Sequence, residues 1–169
     1  MKYLTKARFF SPLLTRCAGT LLALIFSSAA LANPYKITVL ATNISDYGGL
    51  GEWSFSAFFE GEKDSVLFDT GFKSDTVLHN VQHLGVDLSN TEKVVLSHFH
   101  SDHTGGLLVL RDYFGKINPK ALSEVYIARG FFDQRLTREG EQVGPGLFAS
   151  ATVFKTEAEK RGIRFIEVD

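Results

Sequence analysis

Three of the chain's five histidines fall within residues 96–106, LSHFHSDHTGG, and an aspartate lies among them. His98 and His100 are two positions apart, so an extended segment places both imidazoles on the same side. Asp102 and His103 follow directly, and two glycines end the stretch, where they permit a close approach of another backbone segment. This grouping of imidazole and carboxylate side chains predicts a metal site.

The number of donors in this stretch indicates more than one metal ion. Four candidate ligands within six residues are too many for one closed site that also keeps open positions for a substrate. The spacing suits two neighbouring ions, one held by His98 and His100 and the other by Asp102 and His103. Neutral imidazole and carboxylate suit zinc, and also iron or manganese. Two such ions lower the pKa of a shared water towards neutrality, which makes hydroxide available as a nucleophile.

A short strand is expected to position the cluster. Residues 93–97, KVVLS, resemble a strand buried on both faces, and the histidines follow its carboxyl end, where α/β proteins keep their sites. Alternation and β-branched content predict further strands over residues 35–42, 53–60, 65–70, 123–128 and 163–168. Apolar spacing predicts helical segments over residues 73–85, 107–113 and 156–161. Strands alternating with helices indicate a layered α/β or α+β domain.

Two further groups of residues are assigned structural roles. His79 and His83 would share one helix face, but that face lies away from the apolar stripe, so both are expected to face solvent. The aromatic residues of the second predicted strand are expected to lie in the core rather than to form a substrate platform. They are Trp53, Phe55, Phe58 and Phe59.

Two motifs in the chain resemble those of the metallo-β-lactamase superfamily. HFHSDH, residues 98–103, matches that family's HxHxDH signature, and LFDTG, residues 67–71, matches its earlier aspartate motif at the right spacing. The segments around both motifs are similar to the branch that contains the dihydropterin ribofuranosylaminobenzene phosphate synthase-like proteins. The resemblance covers residues 37–169, and its motifs are specific.

The resemblance implies an α+β fold, the N-terminal half of an αββα sandwich with a dinuclear metal site at one edge. By position, His98 and His100 would bind the first metal, while Asp102 and His103 would bind the second. Asp102 would also act in catalysis by steering the attacking water. Asp69 would orient the cluster loop through hydrogen bonds rather than serve as a main ligand.

The first 32 residues have the features of a secretory signal peptide. Four basic residues precede the apolar run of residues 18–32, which ends in the small-x-small pattern Ala30-Leu31-Ala32. Cleavage before Asn33 would leave a domain of residues 33–169 in the periplasm or outside the cell, with no membrane attachment. Cys17 would be lost with the leader, so every metal ligand must be imidazole or carboxylate.

The charge balance limits the class of partner. Without the leader, 14 basic residues remain against 19 acidic ones, a net charge of about −5. No basic stripe is present to hold a polyanion backbone, so a small-molecule substrate is expected and nucleic acid is not.

The second half of the sequence contributes no further histidine. The superfamily completes its site with ligands from the second half of the domain, and none of the chain's histidines follows His103. We therefore expect an incomplete, N-terminal portion of a longer protein, whose last strands would expose an apolar face and an unpaired edge.

The predicted function is an exported, metal-dependent hydrolase that attacks an ester, amide or phosphodiester bond. One alternative is a truncated, non-catalytic remnant that binds metal or docks onto a partner chain. Another is a relative that uses two irons for electron transfer or oxygen reduction, which would share the same cluster.

Overall fold

The computed structural model describes residues 35–133 and 150–169, so the predicted leader lies outside the described residues. Six strands occur within those ranges: β1 (Lys36–Ala41), β2 (Ser56–Glu60), β3 (Ser65–Phe68), β4 (Lys93–Val95), β5 (Glu124–Ala128) and β6 (Arg164–Val168). Four helices accompany them: α1 (Thr76–His83), α2 (Ser101–Thr104), α3 (Leu107–Ile117) and α4 (Ala151–Lys160). Among these described helices, none has the length and apolar character that crossing a membrane requires.

The six strands form one mixed sheet in the order β1-β2-β3-β4-β5-β6. β1, β2 and β3 pair antiparallel, whereas β3, β4, β5 and β6 pair parallel. Parallel neighbours need crossover connections, and helices supply them. The arrangement is the α+β fold that the sequence predicts. Because β3 and β4 are parallel, the residues that follow each of them emerge at the same edge of the sheet.

The core lies between the helices and one face of the sheet. Phe58, Leu67, Val94 and Val125 occupy successive cross-strand positions on that face, and all four are buried. Apolar residues of α1, α3 and α4 pack in the same cluster. The period-two alternation of each strand therefore places one set of side chains against the helices.

The other face of the sheet carries apolar side chains that remain open to solvent. Ile37 is paired with Phe59 across β1 and β2, and its exposed fraction is 63%. Val39 on the same strand and Val168 on the edge strand β6 are also exposed. The expected apolar face is thus present in the described residues, and it extends beyond the last strands to β1 and β2.

The boundaries of several elements differ from the sequence prediction. β2 begins at Ser56 instead of residue 53, because the amide of Phe55 donates to the Asp102 carbonyl and its carbonyl accepts from Gly71. α3 extends to Ile117, and α4 spans ten residues where the sequence predicted one helical turn. The other strands and α1 fall where they were predicted.

The prediction for the aromatic residues of β2 is confirmed only in part. Phe58 is buried, but Trp53 is 77% exposed, and Phe55 and Phe59 also reach the surface. Successive strand residues point to opposite faces, so Phe58 and Phe59 cannot both face the helices. Trp53 precedes the strand and lies in the loop before it.

We expect Leu67→Ala to lower the free energy of unfolding by about 2–5 kcal/mol, because it leaves a cavity in the fully buried layer. Ile37→Ala, on the open face, should cost only about 0.5 kcal/mol. Urea unfolding followed by circular dichroism measures both values. Equal losses from the two substitutions would show that the helix-covered face is not the main core.

Candidate metal centre

The cluster forms where β3 and β4 end. β3 leads directly into Asp69, and β4 leads through Leu96 and Ser97 into His98. The amide of Asp69 donates to the Val95 carbonyl at 2.9 Å, so the two strand ends remain hydrogen-bonded to each other. The parallel pairing thus brings the LFDTG and HFHSDH motifs together.

The four predicted metal ligands come together in the structure. Nε2 of His98 lies 2.9 Å from Nδ1 of His100. The ring centroids of His98 and His103 are 4.2 Å apart, and Nε2 of His103 lies 3.6 Å from Oδ2 of Asp102. His100 stands at the N-cap position of α2, while Asp102 and His103 lie within that helix. Their side chains therefore form one compact group of nitrogen and oxygen donors.

Asp69 lies beneath this group and is 1% exposed. Its Oδ1 accepts the backbone amide of Ser97 at 2.8 Å, and its Oδ2 accepts the Ser97 hydroxyl at 2.7 Å. Nδ1 of His103 lies 2.7 Å from the same Oδ2. Since a carboxylate only accepts, Nδ1 of His103 carries a proton, and in the neutral ring Nε2 is then the nitrogen with the lone pair. These hydrogen bonds to the cluster loop are those expected of Asp69, although its effect on a metal stays a prediction.

Ser97 is a functional candidate that the sequence analysis missed. Its hydroxyl donates to Asp69 and lies 3.0 Å from Nδ1 of His98. A hydroxyl has a single proton, so it accepts from His98, and this leaves the lone pair of His98 on Nε2. A polar residue between an apolar strand and the first histidine is the only signal in the sequence that could have identified it.

The environment of His98 favours its neutral form. Burial lowers its pKa first, and the neighbouring His103 and His100 lower it further. Neutral imidazole is the form that binds metals.

The backbone of the cluster loop lies directly against the segment after β3. The amide of Thr70 donates to the His103 carbonyl at 2.7 Å, and the amide of Gly106 donates to the Thr70 carbonyl at 3.1 Å. A methyl group on Gly105 would overlap the carbonyl oxygen of Phe72. Glycine is therefore required at this position by close backbone contact.

Phe99, between the first two histidines, anchors the loop from another direction. Its buried ring contacts Phe131, Phe132 and Phe154, with centroid distances of 5.6, 5.6 and 5.4 Å. Contacts of this kind between aromatic rings stabilise the fold by more than the burial of their surface area alone. The side chains of His98 and His100 consequently start from a fixed backbone.

His79 and His83 lie on α1 and face solvent, as predicted. Nε2 of His79 lies 2.9 Å from the Gly48 carbonyl, and Nε2 of His83 lies 3.6 Å from a carboxylate oxygen of Asp46. These contacts tie the loop after β1 to α1.

The donor set, three imidazoles and one carboxylate, fits zinc in chemical type. Two of the imidazoles, those of His98 and His100, lie 2.9 Å apart between Nε2 and Nδ1. In residues 35–133 and 150–169, however, no three His, Cys, Asp or Glu side chains are already arranged to hold an ion. The two imidazoles instead contact each other. Metal binding would need shifts of these side chains, and ligation by the four residues stays a prediction.

The family model of the metallo-beta-lactamase superfamily matches residues 54–165, more than half of the chain. The chain belongs to this superfamily. Its similarity to the predicted branch is also confirmed. A 7,8-dihydropterin-6-methyl-4-(beta-D-ribofuranosyl)-aminobenzene-5'-phosphate synthase from Methanocaldococcus jannaschii is 28% identical over 106 residues. That alignment covers 63% of this chain and 34% of the relative.

Solved structures show the same fold. Tm1679, a metal-dependent hydrolase of the beta-lactamase superfamily, is 30% identical with a TM-score of 0.54. The match covers 79% of this chain and 41% of Tm1679. YhfI from Bacillus subtilis, a metallo-beta-lactamase fold protein, has 21% identity and a TM-score of 0.50, and the match covers 80% of this chain and 47% of YhfI. The chain therefore spans about a third to a half of the length of these relatives. The fold is hydrolase-like, although the curated relative is named as a synthase.

We expect Gly105→Ala to lower the free energy of unfolding by about 3 kcal/mol, because the methyl group would force the cluster loop away from Phe72. Gly105 has helical φ and ψ, so steric overlap alone should cause the loss. The control is Gly85→Ala, which meets no atom within 4 Å but has a φ of +65°. That strain should cost about 1–2 kcal/mol. A smaller loss for Gly105→Ala than for the control would contradict the close contact.

Proposed function

We propose that this chain belongs to an exported, metal-dependent hydrolase with a two-metal site, and that zinc is its metal. The observation that carries the proposal is the convergence of His98, His100, Asp102 and His103 above the buried carboxylate of Asp69. Membership of the metallo-beta-lactamase superfamily supports the reaction class. The basic and apolar leader supports export.

His98 and His100 would hold one ion, and Asp102 and His103 would hold the other. Zinc bound there would supply Lewis acidity and would make water nucleophilic near neutral pH. Asp69 and Ser97 fix the protons of His103 and His98 on Nδ1, so that both Nε2 atoms keep a lone pair for binding.

The two carboxylates of the site would have different roles. The side chain of Asp69 is 1% exposed, whereas that of Asp102 is 24% exposed. Asp102 is therefore the carboxylate that solvent can reach, and we assign to it the orientation of the attacking water and the acceptance of its proton. Asp69 acts only through the residues to which it is hydrogen-bonded.

The proposed substrate is a small molecule with an ester, amide or phosphodiester bond. The relative from M. jannaschii is named as a synthase, so transfer chemistry at the same site ranks beside hydrolysis, and β-lactam cleavage ranks below both. Because the chain covers only 34% of that relative and 41% of Tm1679, the activity is proposed for the whole protein.

Alanine at His100 or His103 in the complete protein should abolish metal loading and turnover, because each substitution removes a donor from one of the two proposed ion sites. Metal content measured by plasma mass spectrometry, together with a panel of ester, amide and phosphodiester substrates, tests this expectation. His79→Ala is the matched control, since His79 lies on α1 and should leave both measurements unchanged. Full metal content in either cluster variant would refute the ligand assignment, and iron in place of zinc would favour the two-iron alternative.

Asp69→Asn should weaken zinc binding about 10- to 100-fold, the usual effect of losing a partner that orients a ligand. The amide has one acceptor oxygen, whereas the carboxylate accepts from the Ser97 amide, the Ser97 hydroxyl and His103. Competition with a chromophoric chelator measures the affinity. Asp64→Asn removes an exposed carboxylate paired with Lys93 and serves as the control. Equal affinity in the two variants would show that Asp69 does not orient the ligands.

A further inference from the structure

Glu52 makes four hydrogen bonds although it belongs to no predicted motif. Its Oε1 accepts the amide of Phe72 at 2.7 Å and the hydroxyl of Ser54 at 2.8 Å. Its Oε2 accepts the amide of Lys73 at 3.1 Å and the hydroxyl of Thr76 at 2.9 Å. Both oxygens of this half-buried carboxylate are thus used twice, and every partner is a donor.

These bonds fix the segment on which the cluster loop lies. Phe72 and Lys73 follow Thr70 and Gly71, whose backbone groups bond the loop. The amide of Gly105 donates to the Gly71 carbonyl at 2.9 Å, and the Phe72 carbonyl is the group against which Gly105 packs. The Glu52 carboxylate thus accepts from the amide of Phe72, and the carbonyl of the same peptide group, that of Gly71, accepts from Gly105 in the cluster loop.

A second path runs from Glu52 to the cluster along the chain. Three residues after Glu52, the amide of Phe55 donates to the Asp102 carbonyl at 3.4 Å. The Phe55 carbonyl accepts from the Gly71 amide at 3.1 Å. Glu52 joins these two backbone segments through its side chain, and each segment bonds the loop that carries Asp102 and His103.

We propose that Glu52 is a positioning residue for the metal cluster. It holds residues 52–55 and 70–73 in one arrangement, and that arrangement places the backbone of Asp102 and His103. The expected effect of Glu52 on metal binding rests on the proposed function, whereas its expected effect on the backbone of the cluster loop does not.

Asn80 provides a matched reference for this claim. Its buried side chain donates to the carbonyls of Leu40 and Leu50 and accepts the amide of Leu50. It thus joins the same long loop to the body of the domain through three hydrogen bonds. None of these side-chain partners belongs to residues 70–76 or 97–106. Loss of Asn80 should therefore loosen the loop without changing the cluster.

The test compares Glu52→Gln and Asn80→Leu in the full chain with the unchanged chain. Glu52→Gln keeps the shape but sets an amide nitrogen against two donors, either Phe72 and Ser54 or Lys73 and Thr76. Three quantities are measured: the free energy of unfolding, the zinc affinity by chelator competition with the visible spectrum of bound Co²⁺, and backbone amide exchange.

Glu52→Gln should weaken zinc binding about tenfold and change the Co²⁺ spectrum, as expected when a residue that supports the ligands is lost. Exchange at the amides of Thr70 and Gly106 should become about tenfold faster, because these amides bond across the contact between the two segments. Asn80→Leu should leave the zinc affinity, the Co²⁺ spectrum and the exchange rates of these two amides unchanged. This should hold even where it lowers the free energy of unfolding as much as Glu52→Gln does. Its effect should appear at the amide of Leu50.

Two results would overturn the proposal. One is a Glu52→Gln chain with the affinity, spectrum and amide exchange of the unchanged chain. The other is an Asn80→Leu chain with the same changes at the cluster for the same loss of stability, because the effect would then be general destabilisation. If the unchanged 169-residue chain binds no zinc, this chain alone does not form the proposed ion sites, and the exchange at Thr70 and Gly106 decides whether Glu52 positions the loop.

Discussion

The buried carboxylate of Asp69 joins the segment after β3 to two points of the cluster loop, 28 and 34 positions further along the chain. It follows β3 directly, receives two hydrogen bonds from Ser97, which lies two residues after β4, and contacts His103 in α2. A carboxylate that is 1% exposed is costly to bury without partners, so these donors must be present whenever the domain is folded. Its backbone also has a φ of +50°, a strained value that aspartate tolerates better than most residues. The parallel pairing of β3 with β4 is what makes this contact geometrically available.

The same contact determines which nitrogen atoms the histidines present. Asp69 fixes the proton of His103 on Nδ1, and the Ser97 hydroxyl does the same for His98. The lone pairs of both residues are then on Nε2, directed away from the sheet edge that holds the carboxylate. The buried charge of Asp69 must be hydrogen-bonded for the domain to fold. The same hydrogen bonds leave Nε2 of His98 and Nε2 of His103 available as donor atoms.

The sequence could predict the motifs and the elements that carry them, because both depend on local spacing. The LFDTG and HFHSDH motifs each follow a strand with a clear pattern, and the structure brings them to one sheet edge. Ser97, Glu52 and the anchoring role of Phe99 escaped prediction because their partners are distant. Glu52, for example, bonds residues 20 to 24 positions away, and no local pattern encodes such a contact. The error for Phe59 has another cause, since aromatic content predicts burial on average while strand alternation decides the face of each residue.

Three independent contacts fix the backbone of the cluster loop before any ligand arrives. They are the hydrogen bonds of Ser97 to Asp69, the backbone packing of Gly105 and Gly106, and the ring contacts of Phe99. The His98–His100 contact is the interaction that a bound ion would replace, and a hydrogen bond of this type contributes about 1 kcal/mol. Because the three contacts hold the backbone, the rearrangement that the proposed metal would require falls on the side-chain torsions of the two histidines.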